Sequence, residues 1–422
     1  MRILHVIASL ATRYGGPSVA CPALCRELAR QGHQVAIYTT NVDGDRLAPV
    51  PLDQPVFDHG VEIRFFPGWT HPLEYKFSPS LGRVLARRIP TYDLVHIYSL
   101  YIFSATVAAH LCRRFRVPYL LHPHGSLDPF LLRRHPIRKR LYSALFEHHN
   151  FQHAAAILFN SSEEARLAAP WMDTVLSRTD KIPPACEIVP VGLEEECFAP
   201  VSAEARRQFL ARHPELRDKR ILLFFGRLSF KKGLDLLARA FIELAPSSGR
   251  THLLVVGPDT EGYGEKLRHW LGAGRLLERA TFTGPLEGQD RNVALQLADV
   301  FVLPSYSENF GQSVAEAMAS RVPVIISNKV NIWPEIQRTG AGLVVPCDAH
   351  TLAAALHALL DEPLRAREMG ERGRCWAAET LPWRIVGLQM AGAYQRILNR
   401  SLEEQPAGSP AAQEGPQRAL RP

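Results

Sequence analysis

Short apolar runs alternate with helically spaced stretches twice along this chain, and that alternation constrains the fold more than any single motif. The first series comprises Ile3–Ala8, Gln34–Thr40, Val61–Phe65, Leu94–Ile97, Tyr119–His122, Ala156–Phe159 and Ile188–Val191. The second follows the Pro190–Pro200 stretch and comprises Ile221–Phe225, His252–Val256, Ala280–Thr283, Val300–Leu303, Val324–Ile326 and Gly342–Val345. Strand patterns alternating with helical ones predict a parallel sheet wrapped by helices. A chain of 422 residues, 46% hydrophobic and 22% charged, is long enough for two such cores. The expected fold class is α/β, with one domain over residues 1–195 and a second of the same class over 196–380.

A further amphipathic pattern runs from about Trp383 to Leu398, with Ile385, Leu388, Met390, Tyr394 and Ile397 available for burial. No strand follows it, and it can pack on either domain. Beyond residue 400 the chain turns to Pro, Ala, Gly, Gln and Glu without aromatics, so residues 401–422, above all Glu403 to Pro422, are expected to be a disordered tail.

The opening apolar run is shorter than the core of a secretory signal, and no stretch reaches the roughly 18 apolar residues of a spanning helix. The seven cysteines are odd in number, scattered, and never spaced as Cys-x2-Cys, which argues against disulfides and zinc. A reducing, cytoplasmic setting is expected. The net charge of +7 suits an anionic partner. Its densest cluster, Arg133, Arg134, Arg138, Lys139 and Arg140, interleaves with Leu131, Leu132, Ile137, Leu141 and Leu145. That interleaving reads either as a solvated helix face or as a segment that touches an anionic membrane at the inner face of the plasma membrane. No nucleic acid is expected as a partner.

Three segments carry chemistry. The first strand runs into Arg13-Tyr14-Gly15-Gly16-Pro17-Ser18 before a helix, a turn through which backbone can approach a ligand. It is not Gly-x-Gly-x-x-Gly. In the second half, Ile221–Phe225 runs into Gly226-Arg227-Leu228-Ser229-Phe230-Lys231-Lys232-Gly233, placing cations outside a strand's C-terminal end, where open parallel sheets bind ligands and where Arg and Lys hold phosphate oxygens. The segment Leu303–Ala319 places Glu308 before a helix that begins near Asn309, Phe310 and Gly311, with Glu316 inside it. Such a helix start offers free N–H groups and a positive dipole end to a phosphate, and carboxylates beside it can accept hydrogen bonds from sugar hydroxyls.

Together, Glu308-x7-Glu316, the Gly226-Arg227-Leu228 to Lys232-Gly233 block, Gly15-Gly16 and the turn His122-Pro123-His124-Gly125 resemble the retaining family 4 glycosyltransferases. The resemblance covers about residues 1–400. It is most specific in the second half, where Val256-Gly257-Pro258 and Phe282-Thr283-Gly284 also stand in the family's order. It implies the GT-B fold, two Rossmann-like doubly wound domains facing across an interdomain cleft, acceptor side first and nucleotide-sugar side second. The helix at 381–400 would then cross back to the first domain.

By the same resemblance Arg227 and Lys232 would grip the donor diphosphate, Glu308 the sugar hydroxyls and Glu316 the ribose. Leu286 would lie by the base, His124 near the donor sugar and acceptor, and Gly16 would let the first loop approach the phosphates. His122, His148 and His149 are read as structural. The implied activity is transfer of a hexose from a donor of the GDP-mannose or UDP-glucose type to a saccharide or lipid-linked saccharide, in cell-surface polysaccharide synthesis. A GT-B epimerase or phosphorylase, and a non-catalytic partner-binding protein of a polysaccharide assembly complex, are the alternatives. The sequence offers no convincing enzymic nucleophile, so retention is expected through attack on the face that the leaving group vacates.

One departure is Val189-Pro190-Val191-Gly192, where the family usually has Asn before Gly in the interdomain turn. Asp43-Gly44-Asp45 formally matches the metal motif of the other large glycosyltransferase fold, but in a polar loop it reads as a turn. Neither a metal nor a resident cofactor is expected.

Overall fold

The computed structural model describes residues 1–69, 75–133, 135–177 and 183–403. Strands are β1 Arg2–Ser9, β2 Gln34–Thr40, β3 Val42–Asp43, β4 Arg46–Leu47, β5 Pro55–Asp58, β6 Val61–Phe66, β7 Leu94–Tyr98, β8 Tyr119–His122, β9 Ala156–Phe159 and β10 Ala185–Ile188. They continue with β11 Arg220–Phe225, β12 Thr251–Val256, β13 Ala280–Gly284, β14 Val300–Leu303, β15 Val324–Ser327 and β16 Gly342–Val345. The first sheet has the order β10-β9-β8-β7-β1-β2-β6-β5 and the second β13-β12-β11-β14-β15-β16. Every pairing is parallel except β5 with β6 and the β3–β4 hairpin.

Both sheets have buried central strands because helices cover both faces. Leu222, Leu223, Phe224, Phe301 and Val302 are fully enclosed in the second core, as are Leu4, Val6, Val95 and Ile97 in the first. Side chains of β1 facing the other way, Ile3 and Ile7, join a third cluster with Cys21, Leu24, Cys25 and Leu28 of the helix Gly16–Arg30.

Three local expectations need correction. The run Ile188–Val191 is not the last strand of the first sheet: pairing with β9 covers Ala185–Ile188, and the residues after it leave the sheet toward the second domain. β5 was missed because its burial alternates on an exposed edge, where only one face is packed. The final helix runs Trp383–Glu403, so Ser401, Leu402 and Glu403, expected in the tail, close a helix; residues 404–422 of the expected tail lie outside the described residues. Leu388 is exposed, and Val386 takes its place in the core.

That helix lies against Gly16–Arg30 of the first domain, with Trp383, Val386, Met390, Tyr394 and Ile397 in the same cluster as Leu24 and Leu28. Tyr394 Oη meets His96 Nδ1 at 2.7 Å. Gly192 sits where the chain enters the second domain, and a Cβ there would lie 2.3 Å from the Trp383 ring. The glycine is required by that contact and not by a left-handed turn, since its φ is not among the positive ones. Val191 in the place of Asn therefore leaves the turn intact. The DGD segment is also a turn, with Asp43 opposite Arg46 in the β3–β4 hairpin, Gly44 at φ 63° and Asp43 paired with Arg13 at 2.8 Å.

Candidate functional site

In the second sheet the strand order reverses between β11 and β14. The crevice outside the carboxyl ends of these two strands is where a doubly wound sheet binds its ligand, because helix N-termini and loops from both directions converge there. The basic loop leaves β11 and the two-glutamate segment leaves β14. After β11 the chain makes a short turn, Phe230–Lys232, and Gly233 then starts the helix Leu234–Leu244. Lys232 folds back over the strand end and forms an ion pair with Glu308. The Glu308 backbone is fixed by its N–H to Lys329 O at 2.9 Å and by its carbonyl, which accepts from Asn331 N at 3.0 Å.

The two glutamates sit in opposite electrostatic settings. Burial pushes the Glu308 carboxyl up, but Lys232, Lys231 and Arg227 outweigh it and hold the group below the ordinary carboxylate range. Burial also raises Glu316, and there it prevails over the single cation Arg291, with which Glu316 is ion-paired. Glu316 lies in the helix Gln312–Ala319, whose N-cap Gly311 adopts a left-handed φ of 82°. The open N–H groups of that first turn face the crevice end of the helix. Phe310 turns its side chain into the core, so only its backbone is available to a ligand, while Leu286 packs half-buried at the core's edge.

The first domain supplies the other wall. Gly15, at φ 90°, precedes the helix that begins at Gly16, and a Cβ at Gly15 would come within 3.1 Å of Arg227 Nη2 across the cleft. At Gly16 an added Cβ would meet nothing within 4 Å. The tight position is thus the neighbour of the one the sequence singled out. His124, at a left-handed φ of 50°, stacks on His122 with ring centroids 3.5 Å apart. Burial lowers its pKa to about 3, so the ring is neutral at ordinary pH. His122 is a link in a buried chain, bonded to His96 at one nitrogen and to Asn160 at the other, both at 3.1 Å.

Sequence reasoning missed what holds this turn. Glu164 accepts from Gly125 N at 2.6 Å and Asn160 N at 2.8 Å. Burial pushes its carboxyl up to about 7, and the bonds from Asn160, Gly125 and the side chain of Asn309 hold it back. Asn309 belongs to the second domain, so this one carboxyl ties the His124 turn to the loop carrying Glu308. Ser307 Oγ reaches Asp128 Oδ2 at 3.1 Å beside it. The available signal was Ser161-Ser162-Glu163-Glu164, a capping-box pattern: Ser161 does cap Glu164 N, but the glutamate is diverted from the cap to the loop. Arg291 gave no signal, being one arginine among many.

The structure therefore gathers Gly15-Gly16, His124, Arg227, Lys232, Glu308, Asn309, Gly311 and Glu316 around one interdomain cleft. His148 and His149 lie elsewhere, on the helix His148–Gln152, where the His148 ring meets Trp171 edge-on.

Known proteins show the same division. Residues 15–183 match the family model "Glycosyl transferase 4-like domain" and residues 206–376 match "Glycosyl transferases group 1". The chain is 29% identical over 381 residues to a D-inositol 3-phosphate glycosyltransferase of Nocardia farcinica, covering 86% of this chain and 81% of that protein. It is 26% identical over 430 residues to an MMP alpha-(1->4)-mannosyltransferase of Mycolicibacterium hassiacum, covering 95% and 99%. Among solved structures, sucrose-phosphate synthase from Thermosynechococcus elongatus superposes with a TM-score of 0.72 at 23% identity, covering 95% of this chain and 100% of that one. With both halves matched in chain order and the whole architecture shared, the chain belongs to the family 4-like glycosyltransferases of the GT-B fold and is a hexosyltransferase.

Proposed function

We propose that the protein is a retaining hexosyltransferase that uses a donor of the GDP-mannose or UDP-glucose type and a saccharide or lipid-linked saccharide acceptor in cell-surface polysaccharide synthesis. The observation that carries this reading is the convergence of Arg227, Lys232, Glu308 and Glu316 at the β11/β14 reversal, opposite His124. The donor diphosphate draws Lys232 from Glu308 and lies between Lys232, Arg227 and the Gln312–Ala319 helix start. Glu308, freed from that pair, accepts hydroxyls of the donor hexose. Glu316 accepts the ribose hydroxyls, and Leu286 flanks the base.

His124 Nε2 and Asn309 Oδ1 are enclosed and without a hydrogen-bond partner among the described residues. Donor or acceptor hydroxyls supply those partners. Charge developing on the departing phosphate is met by fixed cations and backbone dipoles, a task that needs no divalent ion. The departing oxygen then takes the acceptor proton as the acceptor attacks the same face, in a cleft closed to water. A hydrolysis screen across nucleotide sugars in the presence of chelator, followed by NMR of the product anomer, tests this. An α-donor should give an α-product, with turnover unchanged by chelation; an inverted product, or reversible loss of turnover in chelator, overturns the reading.

The acceptor's membrane side is assigned to the basic segment. Ile137, Leu141 and Leu145 are spaced four residues apart and 81%, 61% and 61% exposed, beside Arg133 and Arg140. Arg134 of this cluster lies outside the described residues, and no described helix is long and apolar enough to cross a membrane. A stripe of this kind lies on a bilayer surface with its leucines in the interface and its cations at anionic headgroups. Flotation with phosphatidylserine-containing vesicles should show binding that falls as salt shortens the screening length from about 10 Å at 0.1 M to about 3 Å at 1 M. Replacing Arg133 and Arg140 with Glu should abolish it; salt-independent binding by both forms would remove the assignment.

A further inference from the structure

We propose that His5, Cys21 and Cys25 form a structural site for one divalent thiophilic cation, with zinc as its type, buried in the first domain behind Tyr98, whose ring stacks on His124. Ligand atoms of the three residues lie within 4.8 Å of one another, and all three side chains are fully enclosed. Cys21 and Cys25 stand on successive turns of the helix Gly16–Arg30, where residues four apart share a face, and that face lies over β1, which carries His5. The rule that argued against zinc from sequence looked for Cys-x2-Cys, a loop spacing. A helix satisfies the same ligand geometry with three intervening residues, and the third ligand comes from another element.

Two further observations single this group out from an ordinary cluster of core thiols. His5 Nδ1 is engaged with Tyr98 Oη at 3.0 Å, while His5 Nε2 is buried with no hydrogen-bond partner among the described residues. A buried ring nitrogen without a partner is costly. A ligating histidine has this arrangement: one nitrogen held by a neighbour, which fixes ring and tautomer, and the other free for the ion. The charge count also favours a divalent ion. Binding releases two thiol protons, and two thiolates, one neutral imidazole and one 2+ ion sum to no net charge, which a sealed core tolerates; a monovalent ion would leave a buried negative charge. Tyr98, whose hydroxyl meets His5 Nδ1 and contacts Cys21, orients both ligands from outside the site.

Such an ion pins the helix that opens at the Gly15–Gly16 loop to the central strand of the first sheet. It enters during folding and does not exchange afterwards, so chelator added to the folded enzyme leaves it in place. The test uses the full chain, unfolded in reducing guanidinium and refolded with zinc, with cobalt, or with chelator. After desalting against chelator, elemental analysis should find about one zinc per chain, and the cobalt form should show thiolate-to-cobalt charge-transfer absorption. Cys21→Ser and Cys25→Ala should lose both signals, and Cys112→Ser, which alters a buried cysteine outside the group, should keep them. Absence of retained metal and of the cobalt–thiolate band in the unaltered chain overturns the site, and this needs no variant to fold. So does metal that survives in Cys21→Ser, because that places it on exposed Cys186 or Cys375.

Discussion

Glu308→Gln should lower kcat by about 10- to 150-fold, the loss of one charge-assisted hydrogen bond of roughly 1.5–3 kcal/mol realised at the transition state. Affinity for the free nucleoside diphosphate should not fall. Lys232 is committed to Glu308 in the structure, so removing the carboxylate releases that ammonium to the diphosphate instead of depriving it of a partner. Calorimetry of nucleoside diphosphate binding and single-turnover kinetics on the same preparation separate the two effects. Diphosphate binding weakened tenfold with kcat intact would mean that Glu308 organises the phosphate site and does not address the sugar.

Glu316→Gln should fail in the opposite way and carry a second penalty. Loss of the ribose contact proposed for Glu316 should raise the nucleotide Kd by about 10- to 150-fold. Its partner Arg291 would also be left largely enclosed without a counter-charge. Breaking a buried pair from one side costs on the order of 3 kcal/mol, which in a domain of this size lowers Tm by roughly 6–12 °C. Converting Arg291→Met in the same chain should restore part of the stability, since it removes the enclosed charge left without a counter-charge, yet leave nucleotide affinity low. Recovery of both together would reduce Glu316 to a structural residue, and normal nucleotide binding in the single variant would do the same.

How much of this was legible beforehand differs by element. Six strands of each sheet were read from apolar runs because strands covered by helices on both faces have no polar face to interrupt the run. β5 escaped because an edge strand has one, and β10 slipped by three residues because Ile188, Val189 and Val191 are apolar for different reasons. Val189 and Val191 pack around the exit from the sheet, and Ile188 is half exposed. The residues of the cleft were legible through the family motifs, each a contiguous block. Glu164, Arg291 and the His5–Cys21–Cys25 group were not, since their partners lie in other elements and only the fold fixes the distances.

The sequence by itself determined two largely parallel sheets, their order along the chain and the loops that border the cleft, because periodicity and turn chemistry act over a few residues. Only the tertiary structure decided that Lys232 rests on Glu308, that Glu316 answers Arg291, and that one carboxyl, Glu164, joins the His124 turn to Asn309 of the other domain. Each of these is a charge or polar group placed out of water, and its state is set by whichever group the fold brings within a few ångströms, a quantity that no local pattern contains.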